Sequence, residues 1–151
     1  MHTTKPDLRK RQLQVVIGTN ENALLDLFTA LLKKVIQDKY DLMINSFFYG
    51  EELLKFADNK SVDIYILVIN NIQFRHFYPP QDRIEKSFHL VTQIRAKYKN
   101  PIIALAGSSV ISKNKISAVD FFFHLPFKEK DFIKAIDKCF EMLYEFDMKS
   151  E

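Results

Sequence analysis

Leu13-Gln14-Val15-Val16-Ile17-Gly18, followed by Thr19-Asn20, is the stretch that decides the fold. It is short, rich in β-branched residues and almost continuously apolar, the mark of a strand buried on both faces of a parallel sheet. A helix is predicted to follow. Asn20 or Asn22 can cap it, and Leu24, Leu27, Phe28, Leu31 and Val35 recur at spacings of three and four, with Leu25, Leu32 and Ile36 widening the stripe. That helix is expected to end near Tyr40.

The alternation continues outward from this unit. Leu42 to Phe47 reads as a second strand, Tyr49-Gly50 as a turn, and Glu51 to Ala57 as a short helix with acids at its positive end. Asp63 to Val68 gives a third strand and Ile84 to Tyr98 a helix through Phe88, Val91 and Ile94. Pro101 precedes a fourth strand, Ile102 to Leu105. Phe121-Phe122-Phe123 is a fifth strand, and Lys128 to about Met148 a last helix with Phe132, Ile133, Ile136, Phe140 and Leu143 turned to the sheet. The stretch from Gly107 to Ala118 is short and polar, so a fourth helix there is expected to be short or missing. Strands alternating with helices imply right-handed crossovers and an α/β, doubly wound, five-stranded parallel sheet in the order 2-1-3-4-5, with helices on both faces.

Composition bounds the class. A length of 151 residues fits one domain, and 47% hydrophobic with 27% charged residues is too apolar for a disordered chain. The net charge of +3 comes largely from Lys5, Arg9, Lys10 and Arg11, so residues 1–11 read as a basic flexible tail and 12–148 as a single domain. Elsewhere Lys and Arg are mixed with Asp and Glu, which argues against a nucleic-acid footprint. The single cysteine, Cys139, allows no intrachain disulfide, lies in an apolar helical pattern as a small core residue, and suits a reducing cytoplasm. No apolar run approaches the roughly 20 residues of a membrane span.

In an α/β sheet of this kind ligands bind outside the carboxyl ends of the strands, beside strands one and three. The residues at those ends are Thr19, Asn20, Val68, Ala106 and Leu125. None is an acid, a base or a paired nucleophile. Gly18, Gly50 and Gly107 are the only glycines, too few for either glycine-rich nucleotide motif. His76, His89 and His124 lack metal-ligand spacing, and Ser108-Ser109 suits a helix cap better than a nucleophile. No enzymatic activity, cofactor or metal is expected.

The chain resembles the receiver domain of bacterial response regulators from Leu13 to about Leu143. Four segments carry the resemblance: Tyr49-Gly50-Glu51-Glu52-Leu53-Leu54, Val62-Asp63-Ile64-Tyr65-Ile66-Leu67, Pro101-Ile102-Ile103-Ala104-Leu105, and Leu125-Pro126-Phe127 in the place of the family's Lys-Pro-Phe. The resemblance implies two acids ending strand one, a phosphoacceptor aspartate ending strand three, a Ser or Thr ending strand four and a lysine ending strand five. Here those positions hold Thr19 and Asn20, Val68, Ala106 and Leu125, a degenerate phosphorylation pocket. Mg²⁺ wants hard, usually anionic, oxygen ligands, and valine offers nothing to phosphorylate. A one-residue slip of strand one would bring in Glu21 but no acceptor, because no acid lies between Ile64 and Gln81.

The expectation is therefore a phosphorylation-independent pseudo-receiver that signals through a protein partner or as a homodimer. The alternative is a small-ligand or nucleotide sensor using the neutralised pocket between strands one and three, with Asn70 and Asn71 adding hydrogen-bonding groups. Phe74, Phe77 and Tyr78, in a long loop from Asn70 to Gln81 stiffened by Pro79-Pro80, either meet a partner, cover the pocket or pack on the domain edge. Lys130, Lys134 and Lys138 on the last helix are candidates for a charge-matched interface. Phe122, at the family's switch aromatic, is expected in the core.

Overall fold

The computed structural model describes residues 11–36, 39–69, 72–75, 80–107 and 119–149. Along the chain run β1 (Gln12–Gly18), α1 (Asn22–Ile36), β2 (Asp41–Phe47), α2 (Gly50–Asn59), β3 (Ile64–Val68), α3 (Pro80–Lys97), β4 (Ile102–Gly107), β5 (Phe121–His124) and α4 (Glu129–Lys149). All strand pairings are parallel and the order is β2-β1-β3-β4-β5, as expected from the sequence. The helix expected short or missing between β4 and β5 falls on residues 108–118, outside the described residues.

Period-two alternation divides the central strands between two cores. Leu13, Val15, Ile17, Ile64, Ile66, Val68, Ile102, Ala104 and Ala106 face α1 and α4, where they meet Phe28, Leu32, Ile36, Phe132, Ile136 and Cys139. Val16, Tyr65, Leu67, Ile103 and Leu105 face α2 and α3, meeting Leu53, Phe88, Val91 and Ile94. Burial of its side chain pushes the Cys139 thiol up to about 12. The unfolded thiol ionises from about 9, so this group contributes stability that is lost as pH rises between about 9 and 12. Alkylation at pH 8 is expected to be slow for the native protein and fast in denaturant; equal rates would place Cys139 at the surface.

Two aspartates set the strand starts at the amino end of the sheet. The Asp63 carboxylate accepts from the Gln14 backbone N–H at 2.9 Å and from the Arg11 guanidinium at 2.9 Å, while its own N–H donates to the Gln14 carbonyl. Asp120 repeats the arrangement, accepting from Ile103 N–H at 2.8 Å and from Arg95 at 2.9 Å. Charge-assisted bonds of this kind stabilise more than neutral ones. Asp63→Ala is expected to cost about 1.5–3 kcal/mol in urea unfolding, because it leaves the Gln14 N–H without its acceptor. Arg11, the last residue of the expected tail, is thus held at the foot of β1 and β3; residues 1–10 lie outside the described residues.

Some boundaries and faces differ from the sequence reading. α1 ends at Ile36, and Tyr40 instead stacks on Phe140 of α4 with ring centroids 5.3 Å apart. α3 begins at Pro80 rather than Ile84, since proline suits a first helical turn that needs no N–H. Leu27, expected on the inward stripe, is 44% exposed; Phe28, Leu31 and Leu32 fill the space under α1. Phe122, expected in the core, is half-buried against the α3 side of the sheet.

Candidate functional site

The carboxyl ends of β1, β3 and β4 gather Thr19, Val68 and Ala106 in one row of the sheet, with Leu125 two residues beyond the Phe123 that continues the row on β5. Register decides this: Gly18 pairs with Leu67, Val68 with Ala106, and Ala106 with Phe123. Thr19 therefore leaves β1 beside Val68. Thr19 is fully buried; its N–H donates to the Phe47 carbonyl at 3.0 Å and its Oγ1 accepts from Glu21 N–H at 3.1 Å, shaping the turn into α1. Asn20 is exposed.

Val68 and Ala106 are fully buried within the α1–α4 core, so both present hydrocarbon. The Val68 carbonyl accepts from Ile72 N–H at 3.0 Å and the Ala106 carbonyl from Ile69 N–H at 3.0 Å. Leu125 is half-buried, donates its N–H to the Gly107 carbonyl at 2.9 Å, and precedes Pro126 through a cis peptide bond. With Glu21, Leu24, Leu27, Pro126 and Phe127 it borders a shallow hollow of about 420 Å³ at the mouth of α1. Of the five pocket residues, the fold brings Thr19, Val68, Ala106 and Leu125 to one end of the sheet and turns Asn20 to solvent.

The sequence reading missed what stands over β1. Ile72, fully buried, lies so close above Gly18 that a Cβ at Gly18 would sit 2.7 Å from its Cδ1, with Leu67 and Leu53 at 3.1 and 3.2 Å. A side chain at Gly18 would force Ile72 to shift. On the α2–α3 side, the end of β1 is thus surrounded by hydrocarbon from Ile72, Leu67 and Leu53. The glycine at the end of an otherwise bulky strand was the available signal, since glycine in a strand marks a close approach.

Residues 72–75 then run across to the β2–α2 turn. Gln73 N–H donates to the Phe48 carbonyl at 2.7 Å, Gly50 N–H donates to the Gln73 carbonyl at 2.8 Å, and Tyr49 and Gln73 form a parallel bridge. Phe74 lies over Gly50, half-buried against the α2–α3 core. Arg75 donates its backbone N–H to the Glu51 carboxylate at 3.1 and 3.2 Å, pairs its guanidinium with Glu52, and holds that group 4.2 Å over the Tyr49 ring. The strap joins the exit of β3 to the start of α2. Phe77 and Tyr78 lie outside the described residues, as do Asn70 and Asn71.

Lys130, Lys134 and Lys138 are exposed along one side of α4 at four-residue spacing, interleaved with Asp131, Asp137 and Glu141. Among the described residues at the strand ends, Thr19, Asn20, Val68, Ala106 and Leu125, no nucleophile is set beside a base. Among the described residues no group of three or more His, Cys, Asp or Glu is placed to hold a metal ion, and no helix is long and apolar enough to cross a membrane.

No family model and no curated protein matches the chain. Solved structures do match its fold. The response regulatory domain of protein mrkE from Klebsiella pneumoniae superposes with a TM-score of 0.69 at 18% identity, covering 88% of this chain and 99% of that one. The signal receiver domain of an HD domain-containing protein from Pseudomonas fluorescens Pf-5 gives 0.66 at 13% identity over 89% and 99% of the two chains. A CheY-like response regulator receiver domain from Methylobacillus flagellatus gives 0.65 at 15% identity over 85% and 98%. The chain has the receiver-domain fold.

Proposed function

We propose that the protein is a phosphorylation-independent pseudo-receiver, a signalling domain without catalytic activity that acts through contacts with a protein partner or a second copy of itself. One observation carries this reading: the position matching a receiver's phosphoacceptor is Val68, fully buried and paired with Ala106, in a sheet that otherwise keeps the receiver topology. Phosphoryl transfer depends on an acceptor oxygen and on cations offsetting the phosphoryl charge. Thr19, Asn20, Val68, Ala106 and Leu125 supply neither the acceptor nor a ligand set for Mg²⁺. An intact scaffold without that chemistry retains its surfaces, and the α4 stripe of Lys130, Lys134 and Lys138 and the loop bearing Phe77 and Tyr78 are the surfaces assigned to partner contact.

Capture of a partner from native lysate is expected to be equal with and without Mg²⁺ and acetyl phosphate. Reversing the charge of Lys130, Lys134 and Lys138 together, or replacing Phe77 and Tyr78 by alanine, is expected to lower it. Capture that requires the phosphodonor contradicts the reading, and capture unchanged in both sets of variants removes these surfaces from it.

A further inference from the structure

We infer that two copies of this chain pair through the outer edge of β2, antiparallel about a two-fold axis at Ile44, with their α1 helices side by side across the groove that flanks this edge. The inference rests on the reading above that the domain acts through contacts, and it names the surface for a second copy. β2 ends the sheet, and among the described residues no strand pairs with its outer side. Asp41 N–H donates to the Arg11 carbonyl and Thr19 N–H to the Phe47 carbonyl, so the odd-numbered residues of β2 bond to β1. Leu42, Ile44 and Ser46 therefore turn their backbone groups outward.

Sheet edges are commonly guarded by lysine, proline or a bulge. From Leu42 to Phe48 this one carries no charge and no proline, and it leaves Met43 42% and Phe48 47% exposed. Centred on Ile44, an antiparallel seam lets Ile44 exchange both backbone bonds with its counterpart, and Leu42 with the second copy's Ser46. On the other face of the strand Met43 comes opposite Asn45, and Asp41 opposite Phe47, so no like charges meet along the seam.

The order of charges on α1 identifies the occupant as a second copy. A groove of about 1060 Å³ lies beside β2, bordered by Asp26, Thr29 and Lys33 from α1 and by Leu42, Ile44 and Ser46 from β2. The two elements run in opposite directions with nearly equal lengths of about 20 Å, which puts their midpoints, Thr29 and Ile44, at one height. Asp26 and Lys33, both exposed, stand on either side of that height by about 5 Å. An axis perpendicular to the sheet at Ile44 keeps both α1 helices on one face of the joined sheet and inverts one against the other. Each Asp26 then meets the Lys33 of the other copy, with Thr29 beside Thr29 at the centre. The neighbouring Lys34 is already tied to Glu129 of α4, which leaves Lys33 as the cation on the groove side.

Sedimentation equilibrium of the full chain over a concentration series, with no phosphodonor present, tests this. Wild type is expected to pass from one-chain to two-chain mass as concentration rises. Ser46→Pro removes an outward N–H that β1 does not use, and proline is tolerated at a sheet edge, so circular dichroism should match wild type while the dimer dissociation constant rises roughly tenfold or more. Asp26→Lys and Lys33→Asp should each raise that constant by roughly tenfold, and the two combined should return it to within about threefold of wild type. If Ser46→Pro loses its fold, the charge exchange alone decides. One-chain mass at every concentration overturns the inference and leaves the absence of phosphorylation to its own test with acetyl phosphate. A dimer that the variants do not weaken also overturns it, by placing the contact on another face, and so does a double exchange that fails to restore pairing.

Discussion

Val68→Asp is expected to destabilise the protein by about 3 kcal/mol or more and still to acquire no phosphoryl group. The side chain at this position is fully buried, opposite Ala106 and within the α1–α4 core. Among the described residues a carboxylate there is surrounded by the apolar α1–α4 core, so burial favours its protonated form. The folded-state pKa of the new acid lies above its unfolded value near 3.9, and the folded state then binds more protons at neutral pH. The deficit relative to wild type therefore grows as pH rises from about 4 and shrinks in acid. Chemical unfolding at pH 4 and pH 7 checks the sign. A deficit that is constant with pH would mean that the acid reaches water, and an adduct formed with acetyl phosphate would mean that Val68 alone had closed the site.

Phe132→Ala is expected to cost about 3–5 kcal/mol. Phe132 is fully buried, and its ring centroid lies 5.7 Å from Phe28, 5.3 Å from Phe123 and 5.7 Å from Phe127. This cluster ties α1, β5 and α4 together directly beneath the carboxyl ends of the strands. Truncation removes the ring's transfer free energy and opens a cavity that three rigid aromatic neighbours fill poorly. For a domain of this size the melting temperature should fall by about 10 °C. A fall of only one or two degrees would show that α4 is not held through this ring.

The parts of the fold legible in sequence were those governed by a single period. Continuous apolar runs such as Ile64–Val68 and Ile102–Gly107 suit burial between two helical layers, which pointed to the parallel sheet, and their alternation with helices pointed to its order. The positions of Val68 and Ala106 at the strand ends were legible because register is fixed once both faces are buried. The face of α1 was less legible because its apolar stripe is wider than the surface it covers, leaving Leu27 outside.

The strap over β1 left only one mark in the sequence, the glycine at its close approach, Gly18. Its hold rests on contacts between residues distant in sequence, Gln73 with Phe48 and Gly50, Arg75 with Glu51 and Glu52, and Ile72 with Gly18. No local pattern announces such pairings. Glu51 and Glu52 read as ordinary acids at a helix amino terminus, and they also serve as the anchorage for Arg75. The close packing of Ile72, Leu53 and Leu67 around Gly18 belongs to the same set of distant contacts.

The central claim, a receiver scaffold without receiver chemistry, is tested most directly by the intact mass of the protein after incubation with Mg²⁺ and acetyl phosphate. The account predicts an unchanged mass. A stable adduct of one phosphoryl group, retained on the folded protein, would contradict it.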